Sequence, residues 1–230
     1  MSDELSALGS FEGTARLFPL PNVVLFPQVM LPLHIFEPRY RQMTAEALAS
    51  DRLIAMALLR PGWETDDGGK PELYPVVCLG KIIADQRLED GRFNLLLRGA
   101  SRGRIVRELE SDKLYRSARV ELLTDTDHPA AEHAAQLRKA LASQVDRWFS
   151  AMGVGAEQLQ KLLHSDLHVG ALADVLSYAL PLDVEFKQGL LEELAVERRI
   201  RRLLHHLETA EPPKATTVGP RPFPPEFSAN

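Results

Sequence analysis

Residues 19–40, PLPNVVLFPQVMLPLHIFEPRY, combine an apolar, β-branched composition with repeated prolines, and this combination limits the possible folds. Proline has no backbone N–H for a sheet ladder and forces the residue before it toward an extended conformation. Each proline therefore marks a strand start, a sheet edge or a turn. The prolines are Pro19, Pro21, Pro27, Pro32 and Pro38. The segments VVLF and MLPLHIF are too apolar for solvent and too interrupted for a membrane helix, so we predict short, bent strands in a small, curved β structure.

Composition limits the class of protein. At 230 residues the chain can bury a core of its own, as one large domain or two small ones. The single cysteine, Cys78, excludes an internal disulfide framework and is expected to be a buried thiol in a reducing compartment. The N-terminus MSDELSALGS is acidic where a signal peptide is basic, and no apolar run is long enough to span a membrane. We therefore expect a cytoplasmic protein that makes no membrane contact.

Strand signals dominate from about residue 15 to residue 124. The clearest is a hairpin in which YPVVCLGKIIADQRL and RFNLLLR are joined by Glu89, Asp90 and Gly91, because Asp-Gly supplies the positive φ angles of a tight turn. In the first arm, Gly80 indicates a bulge or a close backbone approach. Further strands are predicted in RLIAMALLR, SRGRIVREL and YRSARVELL, and a short helix in EPRYRQMTAEALASD. About six or seven such strands are typical of a closed or partly closed barrel.

Beyond residue 126 the hydrophobic period changes from that of strands to that of helices. A long helix with Pro129 in its first turn has one apolar stripe, formed by Ala134, Leu137, Leu141, Val145, Trp148 and Met152. Further helices are predicted in AEQLQKLLH, DLHVGALADVLSYAL, VEFKQGLL and ELAVERRIRRLLHHLE. The predicted organisation is an N-terminal extension (1–10), a β pseudo-barrel (11–125), a helical bundle (126–208) and a proline-rich tail (209–230) without a core of its own.

Three blocks of the sequence resemble one protein family in the same order and spacing. They are LFPLPNVVLFPQVMLPLHIFEPRY, with its proline-broken strands; YPVVCLGKIIADQRLEDGRFNLLLRGASRGRI, with its Asp-Gly hairpin; and LADVLSYALPLDVEFKQGLLEELAVERRIRRLLHHL, where a Leu-Pro helix end and a Lys-Gln pair precede a leucine-rich helix. Together they span roughly residues 15 to 208. They are similar to the N-terminal domain of the Lon ATP-dependent proteases, a fold also found in cereblon-type proteins.

The resemblance implies an α+β fold, with a PUA-like β pseudo-barrel followed by a helical bundle, and a role in binding unfolded or extended polypeptide clients. Full Lon proteases continue into an AAA+ ATPase and a Ser-Lys protease domain, whereas this sequence ends shortly after its final predicted helix. We therefore carry over no catalytic residue. We expect a non-enzymatic substrate-recognition or adaptor module in protein quality control, with a separate protease or chaperone as a further partner, on the analogy of fold.

Three short motifs point to enzymatic or metal chemistry, and each is incomplete. Residues 99–103, GASRG, match the GxSxG pattern of hydrolases, but the strand and helix of a nucleophile elbow are missing, so we interpret the segment as a turn between strands. Residues 67–71, DGGKP, lack the leading glycine and the Ser or Thr of a phosphate loop. His164 and His168 have the spacing of helical zinc ligands, but Ser-Asp at 165–166 is interpreted as a helix cap between them. We expect no cofactor and no metal site.

Arginines near the end of the hairpin form the strongest candidate for nucleic-acid binding, because PUA-like folds include RNA binders and arginines on one strand face can meet phosphates. They are Arg98, Arg102, Arg104 and Arg107, of which the last three are the candidate RNA contacts. The net charge of −5 and the absence of interleaved aromatic residues argue against this alternative and favour a solvated strand face. The same two alternatives apply to the arginines of the final helix, whose pattern fits its polar side: Arg198, Arg199, Arg201 and Arg202.

The first block also offers a polypeptide-binding surface. If MLPLHIF is one strand, Leu31, Leu33 and Ile35 point to one side and build the core. The alternate set is either covered by the following helix or the bundle, or it forms an apolar groove beside an edge strand with unpaired backbone groups. That set is Met30, Pro32, His34 and Phe36, and the candidate contact residues are Phe26, Met30, His34 and Phe36. In the tail, Phe223 and Phe227 are expected to anchor a docked segment.

Overall fold

The computed structural model describes residues 8–9, 11–65, 70–152 and 161–212. The chain divides between Thr124 and Asp125 into two compact units, of which the first contains the strands and the second the helices that follow them. Most of the predicted N-terminal extension and tail, including the expected docking of Phe223 and Phe227, lies outside the described residues.

The first unit is built from extended segments that alternate with turns and one helix. Its strands are β1 (Thr14–Leu20), β2 (Met30–Ile35), β3 (Leu53–Leu58), β4 (Val76–Arg87), β5 (Phe93–Leu109) and β6 (Ser117–Leu123). Helix α1 (Pro38–Leu48) follows β2, and a single 3-10 turn covers Trp63–Thr65. Pro38 is tolerated at the start of α1 because the first helical N–H groups have no partner within the helix.

The described strands form one six-stranded sheet that closes on itself. Their order is β2-β5-β4-β3-β1-β6, and β6 also pairs with β5. Strand β5 makes this closure possible, because its first half pairs with β2 and its second half, from Arg102 to Leu109, pairs with β6. The β1–β3 pairing is parallel, and the other pairings are antiparallel. The resulting small barrel confirms the predicted α+β class and the β pseudo-barrel.

Small residues fill the narrow interior of the barrel together with larger aliphatic ones. The buried cluster includes Ala15, Ala55, Ala57, Ala100, Ala118, Leu17, Leu53, Leu79, Val77 and Val120. Strand β3 is buried at every position, as predicted for RLIAMALLR. Cys78 is a buried thiol in β4, also as predicted. Because apolar burial contributes about 25 cal/mol per Å², this interior is a principal source of stability for the barrel.

The Asp90-Gly91 hairpin forms as predicted. Gly91 has a φ of 83°, in the left-handed region that glycine adopts readily. Asp90 Oδ1 accepts a hydrogen bond from the backbone N–H of Arg92 at 3.1 Å. In β4 the register shifts next to Gly80, where an added Cβ would lie 2.5 Å from Leu97 Cγ. The close approach predicted at Gly80 is therefore confirmed.

The predicted turn at residues 99–103 is wrong, because β5 runs without interruption through this segment. Its glycines permit close packing and do not reverse the chain. An added Cβ would lie 2.0 Å from the carbonyl oxygen of Phe26 at Gly99, and 2.5 Å from Val120 Cγ1 at Gly103. At this point the pairing partner on one edge of β5 changes from β2 to β6. Since the serine of GASRG lies within a strand and no helix follows it, the segment does not have the geometry of a nucleophile elbow.

The second unit contains four described helices. They are α2 (Ala131–Met152), α3 (Val169–Ala179), α4 (Val184–Glu192) and α5 (Val196–Thr209). Helix α2 starts at Ala131, so Pro129 precedes the first turn instead of lying in it as predicted. The buried inward positions of α2 and α5 include Leu137, Leu141, Val145, Trp148, Ile200, Leu203 and Leu207. Most of the helix predicted in AEQLQKLLH lies outside the described residues. None of the described helices has the length and apolarity needed to cross a membrane.

The start of α3 differs from the prediction. His168, and not the Ser-Asp pair at 165–166, is the N-cap residue, and its Nδ1 accepts a hydrogen bond from the N–H of Ala171 at 3.2 Å. His164 and His168 therefore do not lie on one continuous helix, which removes the spacing argument for a zinc site. Within the described ranges, no group of three His, Cys, Asp or Glu side chains converges in a way that could hold a metal ion.

Arg199 is wrongly predicted to lie on the polar side of α5. Its side chain is completely buried, and carboxylates from elsewhere in the second unit hold its guanidinium. Asp125 forms a bidentate pair, with distances of 2.6 Å from Oδ2 to Nη2 and 3.0 Å from Oδ1 to Nη1. Asp174 Oδ1 lies 3.1 Å from Nε, which makes an ion pair without the alignment of a hydrogen bond. The carbonyl of Glu193 accepts a further bond from Nη1 at 2.7 Å.

Lys187 in α4 should make the stability of the second unit rise with pH. Desolvation by burial lowers the pKa of its ammonium group from 10.5 to about 8. Between these two values the unfolded state binds more protons than the folded state. The buried charge therefore lowers the free energy of unfolding by its full amount below pH 8. This destabilisation disappears as the pH rises toward 10.5.

The comparison with Lys187→Met isolates this effect. We expect the free energy of unfolding in urea to increase by about 2 kcal/mol more for the wild-type chain than for the variant between about pH 7 and about pH 9.5. Tyr178, whose carbonyl accepts from Lys187 Nζ at 2.7 Å, has a phenol pKa that burial raises, so it stays protonated over this range. A difference between the two proteins that is independent of pH would contradict the prediction.

Candidate functional site

Strand β2 places its side chains as the alternation of MLPLHIF predicts. The buried set is Leu31, Leu33 and Ile35. The outward set is Met30, Pro32, His34 and Phe36. Met30 and Phe36 are 42% and 40% exposed, respectively, and the other two outward residues, Pro32 and His34, are half-buried. Two large apolar side chains are thus accessible on the outer side of an edge strand.

Phe26 does not belong to this surface. Its side chain is completely buried, and its carbonyl accepts a hydrogen bond from the N–H of Val29 at 3.3 Å. Pro27 and Gln28 occupy the middle of this turn, and the φ of 66° at Gln28 fits the third position of a type II turn. The turn packs Phe26 against Gly99. Phe26 is therefore a core residue and is withdrawn from the candidate contacts.

The apolar surface extends beyond β2 onto the neighbouring strands. Leu96 of β5 lies opposite Pro32, and cross-strand neighbours share one side of a sheet. Ile83, at a register shift in β4 next to Leu96, is 44% exposed. Both residues interrupt the alternation of their strands, Leu96 in NLLLR and Ile83 in KIIAD, and this signal was available in the sequence but missed. We call the combined surface of Met30, Pro32, Phe36, Ile83 and Leu96 the apolar strip.

Polar neighbours fix the ring of His34 beside the apolar strip. Nδ1 lies 2.8 Å from Asn94 Oδ1, and Nε2 lies 3.3 Å from Arg92 Nη1. This pattern fits a neutral ring that donates from Nδ1 and accepts at Nε2. The ring also stacks on Phe36, with the two ring centroids 6.2 Å apart. Because both nitrogens are engaged within the sheet, His34 contributes ring surface and not a free polar group.

A small cavity adjoins the apolar strip at Pro32 and Phe36, and a larger cleft adjoins that cavity. The cavity has a volume of about 70 Å³, and its lining includes Phe18, Leu20, Val23, Leu31 and Leu33. The cleft has a volume of about 580 Å³ and shares Leu20 and Tyr40 with the cavity. Exposed side chains of Trp63 and Leu114 line the cleft. An extended ligand on β2 therefore has room to continue into an open, partly aromatic surface.

The arginines of the RNA alternative do not form one surface. Arg102 is buried in the barrel wall. Arg104 is exposed, and its cross-strand neighbour on β6 is the acidic residue Glu121. Arg107 follows a register shift further along β5, and Arg98 lies in the first half of the strand, opposite Met30 of β2. The geometry separates these cations, so it does not support a continuous phosphate-binding face.

Comparison with known proteins identifies the family. Residues 14–209 match the model of the ATP-dependent protease La (LON) substrate-binding domain. Lon protease 2 of Herpetosiphon aurantiacus is 30% identical over 209 residues, which cover 87% of this chain and 24% of that protein. Lon protease of Dictyoglomus thermophilum is 23% identical over 210 residues, which cover 89% and 25%. The chain thus spans about a quarter of the length of these curated relatives.

Two solved structures share the fold. The Lon N-terminal domain protein from Xanthomonas campestris aligns with a TM-score of 0.61 at 24% identity, covering 84% of this chain and 97% of that chain. The N-terminal domain of Mycobacterium avium complex Lon protease aligns with a TM-score of 0.66 at 19% identity, covering 86% and 100%. Because the family model extends from the first strand of the barrel to the end of α5, the chain belongs to the family of Lon substrate-binding domains.

Proposed function

We propose that the protein is a non-catalytic polypeptide-binding module that recognises unfolded or extended clients for protein quality control in the cytoplasm. Membership of the Lon substrate-binding family supports the class of ligand. The apolar strip supports the place, since Met30 and Phe36 at the two ends of β2, and Ile83 on β4, are each 40% exposed or more, and Leu96 of β5 lies between the two strands. A contiguous exposed apolar surface is typical of an interaction site.

The chemistry of the apolar strip suits varied polypeptide clients. The flexible thioether of Met30 adapts to side chains of different shape, and the ring of Phe36 offers a large apolar area. Burial of such side chains contributes about 25 cal/mol per Å², from which the cost of ordering the client is subtracted. Contacts of this size give weak and reversible binding. Such binding fits an adaptor that releases its clients to a separate protease or chaperone.

Met30→Asp should weaken the binding of an unfolded client about tenfold, because a carboxylate loses hydration when it is buried in an apolar contact. Fluorescently labelled casein, titrated with the folded variant, measures the effect. Val106→Asp is the matched control, since Val106 is 60% exposed on β5 but lies beyond the residues that pair with β2. Equal losses in both variants, or no loss in either, would remove the apolar strip from the site.

Salt and nuclease separate this proposal from RNA binding. Phosphate contacts weaken steeply as salt rises, whereas apolar contacts do not. Proteins recovered from cytosol should therefore survive nuclease and high salt with the wild-type chain and be lost with Met30→Asp. Recovery of nucleic acid alone would refute the proposal and favour the RNA-binding alternative.

A further inference from the structure

One edge of β2 is open to another strand. Strand β2 pairs with β5 from Met30 to Ile35, and in the part of the chain that the structure describes no strand pairs with its other edge. An open edge presents backbone N–H and C=O groups that an extended chain can use. The register of β2 determines which residues offer them.

In an antiparallel pair, alternate residues exchange hydrogen bonds with the partner, and the residues between them point their backbone groups away. The N–H of Gly99 donates to the carbonyl of Val29 at 2.8 Å. The hydrogen-bonded series on β2 therefore continues at Leu31 and Leu33, opposite Leu97 and Leu95 of β5. The residues that direct backbone groups to the open edge are thus Met30, Pro32 and His34.

Pro32 interrupts this edge without closing it. The backbone nitrogen of Pro32 faces away from β5. The lack of an N–H on this nitrogen therefore removes no hydrogen bond from the sheet. Met30 and His34 each offer a donor and an acceptor, whereas Pro32 offers an acceptor alone. A proline at this position discourages edge-to-edge pairing between copies of the protein, while a flexible client can still pair on both sides of it.

The cavity of about 70 Å³ lies along β2, where Leu31, Leu33, Phe18 and Leu20 line it. Successive side chains of an added strand would point to opposite faces of the sheet. Those level with Leu31 and Leu33 would turn toward the cavity, and the others would lie beside the apolar strip. Because a single water requires only about 10–15 Å³ of such space, the cavity can take one aliphatic side chain.

Arg98 gives one end of this edge a charge preference. Arg98 is exposed opposite Met30, and its Nη2 donates to Gln28 Oε1 at 2.5 Å. Among the described residues, no carboxylate forms an ion pair with Arg98. An acidic side chain on the client at this end would therefore meet an uncompensated cation.

We propose that β2 binds clients by strand addition. An extended segment of alternating aliphatic residues, with an acidic residue at one end, pairs its backbone with Met30 and His34, and one aliphatic side chain enters the cavity. The acidic residue lies near Arg98. This inference rests on the proposed function, because it assigns a conformation and a chemistry to the clients of the apolar strip.

N-methylated peptides test the backbone pairing directly. The probe is a labelled peptide, Glu-Thr-Val-Thr-Val-Thr-Val-Thr-Ser, made unmodified and in two versions that are N-methylated on the valines or on the threonines. Each version removes the N–H donors of the interior residues on one edge of the peptide and keeps every side chain. We expect one version to bind at least tenfold more weakly than the unmodified peptide and the other to bind within about threefold of it, since one edge alone faces β2.

Two substitutions change the same edge from the side of the protein. Pro32→Val adds an N–H donor and should tighten binding of the unmodified peptide about two- to tenfold, the range of one net hydrogen bond. His34→Pro removes a donor and should weaken binding by a similar factor. His34→Ala is its control, because alanine keeps the backbone N–H while it removes the imidazole.

Equal affinity for the two methylated peptides, together with no gain in Pro32→Val, would overturn strand addition. If labelled casein still binds in a Met30-dependent manner in that case, the proposed function stands without the strand mechanism. If the wild-type protein binds neither casein nor the unmodified peptide, the proposed function fails as well.

Discussion

Arg199→Met should lower the free energy of unfolding of the second unit by about 3–5 kcal/mol. The substitution removes the buried guanidinium but leaves Asp174, whose side chain is 2% exposed, and Asp125 against an apolar side chain. A buried carboxylate without its cation keeps the cost of its lost hydration. The effect therefore arises from the carboxylates left behind as much as from the lost hydrogen bonds.

The position of Arg199 explains why this loss affects the whole unit. Its guanidinium connects the beginning of the unit at Asp125 with α3 at Asp174 and with the carbonyl of Glu193, which precedes α5. Backbone hydrogen bonds reinforce the same junction, because Thr126 donates to the carbonyl of Leu194 at 2.8 Å. Removing the cation thus weakens the junction of these segments. No other buried cation in the described helices joins them.

The fluorescence of Trp148 during urea unfolding measures this effect, in a Trp63→Phe background that leaves one tryptophan in the chain. Arg198→Ala is the matched control, since its side chain is 71% exposed and its pair with Glu193 should contribute less than about 1 kcal/mol. Adding Asp125→Asn and Asp174→Asn to Arg199→Met should restore part of the lost stability, because the amides need no cation. A loss no larger than that of Arg198→Ala would show that the buried network is not a major source of stability.

Features that depend on neighbours in the sequence could be predicted from the sequence alone. The hairpin follows from Asp90-Gly91, because that dipeptide adopts the turn conformation whatever packs around it. The two sides of β2 follow from the strict alternation of MLPLHIF, which places Met30 outside without reference to any other segment. The apolar stripe of α2 is predictable for the same reason.

Features that depend on distant segments could not be predicted in this way. Arg199 stands in ERRIRR and differs from its neighbours only because Asp125 and Asp174 meet it in the folded unit. Phe26 is a large apolar residue of the kind that often contacts a partner at a surface. Its burial depends on a glycine far along the chain. That glycine, Gly99, occurs in a segment whose local pattern is typical of a turn, so the pattern concealed a packing role.

Gly99→Ala should destabilise the first unit by about 3 kcal/mol or more, at the upper end of overpacking effects. The added Cβ would lie 2.0 Å from the carbonyl oxygen of Phe26 and 3.2 Å from Pro27 Cα. Both atoms belong to backbone, so no side-chain rotation relieves the contact. The turn from Phe26 to Val29 must move away from β5, or β5 must bend.

The controls separate this clash from the general effect of adding a methyl group. Gly103→Ala meets the side chains of Val120 and Leu79, at 2.5 and 2.7 Å, which can shift, so its cost should be about 1–2 kcal/mol. Gly189→Ala in α4 meets the flexible end of Arg202 at 2.9 Å, and the higher helix propensity of alanine should offset that contact.

Hydrogen exchange at individual amides measures both where the variant is destabilised and by how much. The N–H of Gln28 donates to the carbonyl of Gly99 at 2.9 Å, and the N–H of Gly99 donates to the carbonyl of Val29 at 2.8 Å. In Gly99→Ala these amides and those of β2 should exchange faster than the amides of β3, because the turn that anchors β2 to β5 is displaced. Since β2 also presents Met30, the variant should lose affinity for clients in proportion to this opening. If Gly99→Ala matches Gly103→Ala in stability and in exchange at Gln28, Gly99 is not the contact that holds β2 in place.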